Sequence, residues 1–567
     1  MSTDNTYDAI VIGAGMSGGW SAKELCERGL KTLLLERGKD VKHLTDYPTM
    51  NLNPWEFPLR GNISRDVKEA NPSIARCYAY REDNQHFFVK DTEHPYIQDK
   101  PFDWIRGYQV GGKSLMWARQ TQRWSDYDFE GPARDGFAVD WPIRYKDLAP
   151  WYTKVERFAG ISGNKDGLDM LPDGDFLPAW DLNCVEQHFQ STVKKNYTDR
   201  HVIYGRCAHV TEPREIHRQQ GRGQCQTRTE CERGCPFGGY YNSNSTTIPW
   251  AMKTGNLTLR PDTIVHSIIY DDASEKATGV RVIDAHTNET TEYLAKAIFI
   301  NAGAINTIAI LQNSTSSRYP QGMGNDSGTL GKYVAFHNYR SRVTAVCEDF
   351  GDRKPGGRKP TSAYLPRFRN LYKQETDFLR GYACGFSANR YPRGRRTAKV
   401  IGQALSDRIF ASKELGPWQV GSHMMGETIP KASNQVYLDS EKTDNWGMPL
   451  IHLDIAYDDN DERMIKDYEE QLSEMFERAG FKNIRSNDDH RAPGLDIHEM
   501  GGVRMGRDPK TSVLNEWHQI HSCPNVVVSD GACMTSTATQ NPSLTYMAMA
   551  ARAANHIVDV LDKGELS

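Results

Sequence analysis

No run of apolar residues in this chain is long enough to cross a bilayer, which excludes a transmembrane helix. The opening residues, MSTDNTYDAI, lack both the basic and the apolar region of a secretory signal, so the chain's own sequence reads as cytoplasmic. Positive charge is not in excess either. The 69 Lys and Arg stand against 73 Asp and Glu, a net charge of -4, which leaves no basic surface for a nucleic-acid partner. No internal repeat or low-complexity tract stands out, and GDRKPGGRKP at 351–360 and RYPRGRRTAK at 390–399 read as solvated surface loops. What remains is a chain of 567 residues, 38% hydrophobic, long enough to bury a substantial core in several domain-sized units, as a large enzyme does.

The N-terminus carries a complete dinucleotide-binding pattern. Tyr7 to Ile12 (YDAIVI) predicts an apolar strand, and GAGMSG follows with Gly13, Gly15 and Gly18, opening a helix that runs through Ala22, Leu25 and Cys26 and ends at Gly29. A second strand, Thr32 to Leu35, stops at Glu36, whose carboxylate can accept hydrogen bonds from ribose hydroxyls. The first glycine permits the tight turn, the second lets a pyrophosphate approach the backbone, and the third lets helix pack on strand. Free N–H groups at the helix start hold phosphate. The pattern does not choose between NAD and FAD.

After Glu36 no regular series of strand–helix units follows, so the cofactor domain must be interrupted. Pro- and Trp-bearing segments come next, then the Gly-rich RGYQVGGKSLMWAR at 106–119 and the turn-like WPIRYKDLAPWY at 141–152. A later strand-rich block, LTLRPDTIVHSIIYD, TGVRVIDA and TEYLAKAIFINAGA, ends in a buried strand, Ala297 to Ile300, and is expected to rejoin the first sheet. Alternating stretches (QVYLD, LIHLDIAY) and an amphipathic helix near Asp461 to Ala479 predict a second domain within 331–485.

The order GAGMSG with Glu36, VGGKS at 110–114, WPIRYKDLAPWY, INAGAINTIAILQNS at 300–314, HEMGGVRMG at 498–506 and SDGACMTSTATQNPSLTYMAMAARAA at 529–554 resembles the glucose–methanol–choline (GMC) oxidoreductase family across nearly the whole chain. Within it, the chain is most similar to flavoprotein subunits of the gluconate 2-dehydrogenase and glucoside 3-dehydrogenase types. One departure is Thr307-Ile308, where the family usually has Thr-Pro. The resemblance implies an α/β fold, a Rossmann-like FAD-binding domain interrupted by a substrate domain built on an antiparallel sheet. The FAD-binding part is expected at 1–45, 96–150, 226–330 and 487–567, and the substrate part at 46–95, 151–225 and 331–486, with a cysteine cluster at its edge.

Carried onto matching positions, the resemblance implies that Gly13, Gly15, Gly18 and Glu36 bind the ADP half of FAD and that Val265 approaches the adenine through its backbone. Gly111, Gly112 and Ser114 would line the pyrophosphate and flavin, and Asp530, Gly531 and Ala532 the pyrophosphate and ribityl groups. Met116 stands where a relative has a flavin-linked histidine, which implies non-covalent FAD.

The implied catalytic pair is His498 and Asn541. Moving a hydride from a secondary alcohol to flavin N5 requires loss of the hydroxyl proton to a base of near-neutral pKa, the part given to His498. The oxygen that gains negative character needs a neutral donor beside it, which the Asn541 amide supplies. In isolation His498 would read as a buried, satisfied histidine and Asn541 as a turn residue before Pro542; the family likeness reverses that. His337, His423, His452 and Glu427 are expected to be structural.

Of 11 cysteines, Cys225, Cys231 and Cys235 cluster in CQTRTECERGCPFGG. Plain or disulfide-forming thiols are the blandest reading, zinc would want a fourth ligand and paired CxxC knuckles that are absent, and three thiolates in eleven residues can hold an iron–sulfur cluster; the resemblance implies a [3Fe-4S] centre passing electrons to a haem or quinone acceptor, with a small partner subunit that can carry the flavoprotein to the periplasm. The expected activity is FAD-dependent dehydrogenation of a sugar or glycoside at a ring secondary hydroxyl, C3 favoured. A peroxide-forming oxidase of the pyranose oxidase type is the alternative.

Overall fold

A computed structural model describes residues 5–59, 61–354, 362–392, 401–404, 406 and 415–566; positions 355–360 and 393–399 of the two polar loops lie outside them. The N-terminal unit forms as its pattern dictates: strand β1 (Thr6–Ile12), helix α1 (Met16–Glu27) and strand β2 (Thr32–Leu35). All four residues of β2 are buried, as expected of a strand covered on both faces.

β1 and β2 lie inside an eight-stranded sheet. From one edge its order is Gln519–Ile520, Cys523–Val528, Thr290–Ile300, β1, β2 and Leu257–Arg260, with the strands Thr263–Asp271 and Lys276–Asp284 attached beside Thr290–Ile300. Its central strands are parallel, and their carboxyl ends are level: Ile12 pairs with both Leu35 and Ile300, and Ile300 pairs with Val528. Ala22 and Leu25 of α1 share an apolar cluster with Ile557 and Val558 of the C-terminal helix Ser543–Asp562, which covers one face. The strand block at 257–300 thus rejoins the first sheet, as its alternation predicts.

The second sheet has seven strands and is antiparallel throughout. Its order is Lys482–Asp488, Ser341–Cys347, Leu415–Glu427, Tyr382–Pro392, Ala363–Leu365 and Ile203–Tyr204, and the two-residue strand His337–Asn338 pairs with the end of Leu415–Glu427. Helix Asp459–Arg478 packs on it through Met464, Ile465, Tyr468, Leu472, Met475 and Phe476, spaced at the helical repeat. The Asp458 carboxylate caps this helix by accepting N–H bonds from Asn460 and Asp461. A three-stranded sheet, Gln435–Thr443, Pro449–Asp454 and Ile97–Gln98, bridges toward the cofactor side. The architecture is the expected α/β fold with an antiparallel second sheet. Ile308 in place of proline leaves the helix Ala304–Asn313 continuous. Among the described residues no helix is long and apolar enough to cross a membrane.

Candidate active site

The level carboxyl ends of the parallel strands bring the functional turns together. Gly13 follows β1, Glu36 follows β2, Asn301 follows Thr290–Ile300, and Asp530 lies two residues beyond Cys523–Val528. A cavity of about 450 Å³ opens there and extends to the second sheet; Gly13, Gly15, Glu36, Gly112, Ser114, Val265, Asp530 and Gly531 line it together with His498 and Asn541.

Each glycine of GAGMSG does the work its position predicts. Gly13 has φ +96°, and a Cβ there would lie 2.4 Å from the Asn301 carbonyl oxygen. A Cβ on Gly18 would come within 1.7 Å of the Gly13 oxygen, so helix and strand touch through backbone, whereas Gly15 faces open space. Glu36 accepts hydrogen bonds from the N–H groups of Ala14 at 2.9 Å and Gly38 at 3.0 Å, and burial raises its pKa to about 7. Of the other expected cofactor residues, Gly18, Gly111 and Ala532 stand behind the cavity wall rather than on it. Gly111 donates to the Ala14 carbonyl at 3.1 Å, which ties the second glycine turn to the first. Ala532 donates to Asp530 Oδ1 at 2.9 Å, and Asp530 Oδ2 accepts from Gly303 N at 2.8 Å and the Thr307 hydroxyl at 2.6 Å. Asp530 therefore locks three segments of the wall while lining it.

His498 and Asn541 meet at the far end, with Asn541 Nδ2 3.4 Å from His498 Nε2. Burial, followed by the charges of His337 and Lys113, holds the His498 pKa well below the usual histidine value, so its ring is neutral at physiological pH. Two neighbours were not anticipated as partners. His337, expected to be merely structural, brings its Nδ1 to 2.9 Å from His498 Nδ1. Asp496 accepts the backbone N–H groups of both histidines, at 2.9 Å from His337 and 3.3 Å from His498, and burial raises its pKa to about 7. Lys113, inside VGGKS, pairs with Glu499, the residue after His498, at 2.6 Å; that adjacency was the available signal for both. His337, Asp496 and His498 are the one group of three metal-capable side chains drawn together among the described residues. The direct Nδ1 to Nδ1 contact, however, engages the lone pair a cation would need. His423 also lines the cavity, whereas His452 binds Asp99 and Asp439 and Glu427 is paired with Arg367 and Arg380.

The cysteine expectation needs correction. Cys225, Cys231 and Cys235 are half-buried free thiols and do not gather into a metal-sized group. Cys231 Sγ faces His209 Nε2 at 3.7 Å, and Cys235 Sγ accepts the Gly239 N–H at 3.4 Å. The cause is local backbone: Thr227 and Thr229 take left-handed φ of 53° and 59°, and Cys231–Arg233 forms a tight turn before Gly234 at φ 98°, so sulfurs close in sequence face different neighbours. These thiols do not support a [3Fe-4S] cluster.

Comparison with known proteins fits this geometry. The N-terminal model of GMC oxidoreductases matches residues 7–338 and the C-terminal model residues 430–550. The chain belongs to the GMC oxidoreductase family. It is similar to 2-methyl-1,2-propanediol dehydrogenase of Mycolicibacterium austroafricanum, at 27% identity over 98% of this chain and 96% of that protein. It is also similar to the fructose dehydrogenase large subunit of Gluconobacter japonicus, at 25% identity over 98% of each. Aspergillus oryzae RIB40 formate oxidase shares the fold, with TM-score 0.61 and 14% identity over the full length of both chains.

Members of the GMC oxidoreductase family bind FAD, and this cavity suits that group. Asp496 Oδ1, Glu499 Oε1, the Tyr546 hydroxyl, His94 Nδ1 and Arg106 Nε are buried atoms of cavity-lining residues with no hydrogen-bond partner in the protein. Buried polar atoms left open are costly unless a ligand satisfies them.

Proposed function

We propose that this chain is an FAD-dependent dehydrogenase that oxidises a secondary ring hydroxyl of a sugar or glycoside, C3 favoured, to the ketone. The observation that carries the reading is the pairing of His498 Nε2 with Asn541 Nδ2 in the cavity that the dinucleotide turn also lines. Gly13, Gly15, Glu36, Gly112, Ser114, Val265, Asp530 and Gly531 would hold non-covalent FAD in that cavity, and FAD would supply an acceptor for two electrons from the carbinol C–H. The protein's own part is the proton. A neutral His498 accepts it at Nε2 from the substrate hydroxyl, and the Asn541 amide donates to the oxygen that this leaves electron-rich. Asn541 is suited because an amide N–H gives a hydrogen bond without surrendering a proton.

A carbohydrate is favoured by the cavity wall, which includes the aromatic side chains Trp117, Tyr339 and Tyr364 and the neutral amide of Gln120. Aromatic faces match the C–H side of a sugar ring, and the amide can pair with hydroxyls. The choice of C3 rests on the motif likeness to glucoside 3-dehydrogenase flavoproteins. The similarity to a protein named as a large subunit supports a small partner subunit; a haem or quinone acceptor and periplasmic placement by co-export rest on the motif likeness alone and belong to the same proposal. The peroxide-forming oxidase is the second reading. Anaerobic mixing with a panel of glycosides tests the function: flavin absorbance should bleach with a subset of them and stay unchanged in His498→Ala. Turnover with a dye far exceeding turnover with oxygen supports the dehydrogenase, and the reverse supports the oxidase.

A further inference from the structure

We infer that His337 is a positioning residue that fixes His498 in the one tautomer whose Nε2 is free to take a proton. The inference rests on the reading of His498 as the base. His337 is wholly buried in the short strand His337–Asn338, 161 positions from its partner in sequence. Its Nε2 lies 3.2 Å from the Thr537 carbonyl oxygen and 3.0 Å from that of Ala538. Carbonyl oxygens only accept, so Nε2 of His337 must carry the hydrogen. Burial lowers the His337 pKa to about 4, which leaves its Nδ1 an unprotonated acceptor at neutral pH. Nδ1 of His498 sits 2.9 Å from that lone pair, and two nitrogens at this distance need one hydrogen between them. The hydrogen therefore belongs to His498 Nδ1. The other nitrogen of His498, the one facing Asn541, is left bare.

The surrounding chain is built to hold this chain of bonds. Ala538 adopts φ 54°, a left-handed conformation that a residue with a Cβ avoids, and here two successive carbonyls converge on one ring nitrogen. Residues just after it are anchored: the Thr539 hydroxyl accepts from Arg367 at 3.3 Å, and the Gln540 amide donates to Asp128 at 2.9 Å. On the other side, Asp496 holds the backbone of both histidines. The strained Ala538 turn fixes the acceptor side of His337, and the shared carboxylate fixes the backbones that carry the two rings.

The test uses the flavin-loaded protein and two variants. His337→Asn keeps an acceptor oxygen near the place of Nδ1, and His337→Leu removes it. Nitrogen NMR of histidine-labelled protein reads the tautomer directly. Nε2 of His498 should be unprotonated in the wild type and in H337N, and should share its hydrogen between both nitrogens in H337L. With methyl glucoside as the probe for anaerobic flavin reduction, H337L should react at least about tenfold more slowly than wild type, and H337N within about threefold. A protonated Nε2 in the wild type, or an H337L protein with unchanged tautomer and rate, overturns the lock; the wild-type spectrum decides even where a variant fails to fold. Flavin reduction at full rate in His498→Ala would instead remove the base assignment, a different failure from either.

Discussion

Replacing Asn541 by alanine isolates the part played by a neutral donor beside the base. Asn541 is 8% exposed, and its amide donates to His498 Nε2 at 3.4 Å, so truncation removes one long hydrogen bond and little packing. The expected cost in stability is about 0.5–1.5 kcal/mol, the net worth of an ordinary hydrogen bond. The expected cost in chemistry is larger, because the same N–H would serve the substrate oxygen as negative character develops on it. Removing a donor of that kind costs roughly 2.7–4 kcal/mol, or about 10²–10³ in rate. Stopped-flow flavin reduction without air, alongside thermal melting and flavin content, separates the two effects. A fall of about two orders of magnitude with full flavin and a melting point within a few degrees of wild type is the predicted outcome. A rate within about threefold of wild type would mean that this amide does not face the reacting oxygen, and the assignment of the pair would be wrong.

His498 itself should add no acid limb near the ordinary histidine pKa to flavin reduction, because its folded pKa is depressed and its neutral form persists down to that lowered value. Asp496 beside it has its pKa raised to about 7, so the check is the pH profile of kcat/KM in Asp496→Asn, where an acid limb near the ordinary histidine pKa would contradict this. Gly18→Ala should abolish flavin retention, because its Cβ would lie 1.7 Å from the Gly13 oxygen and helix α1 would have to move off the strand; a variant purified with one flavin per chain refutes it. Arg380→Met should destabilise the fold by about 3–5 kcal/mol in chemical denaturation, since it strips the guanidinium from buried Glu427 at 2.9 Å and from Asp135 at 2.7 Å. A loss under about 1 kcal/mol would show that the remaining partner, Arg367, carries Glu427 alone.

The cofactor side was legible because its signals are local. The strand, turn, helix and second strand of the N-terminus occupy some thirty residues, and each glycine position answers to a steric demand that the turn itself creates. The helix Asp459–Arg478 was legible for the same reason, since its apolar spacing needs no knowledge of what it packs against. The cysteine loop shows the limit of such reasoning. Eleven residues of sequence bring three thiols close along the chain, but side-chain convergence depends on φ and ψ at the intervening positions, and left-handed Thr227 and Thr229 carry no composition signal.

The proposed catalytic end was readable only in part because its contacts are non-local. His498 and Asn541 could be picked out through their motifs, but nothing in the sequence around AFHN says that His337 will face His498. That contact arises because His337–Asn338 pairs with Gly426 and Glu427 at the end of a long strand, while Ala335 pairs with Met500 two residues beyond His498. The bridge fixes the separation of the two backbones, and with residues 335 and 500 opposed, 337 and 498 lie two steps away on the same side. On the proposed mechanism the second sheet is therefore more than a wall for the substrate: by registering one histidine against the other it would set which nitrogen of the base carries a proton. A change in strand register there would alter chemistry without touching a cofactor contact, so substitutions at Ala335 that disturb the bridge should lower the rate of flavin reduction while leaving flavin content intact.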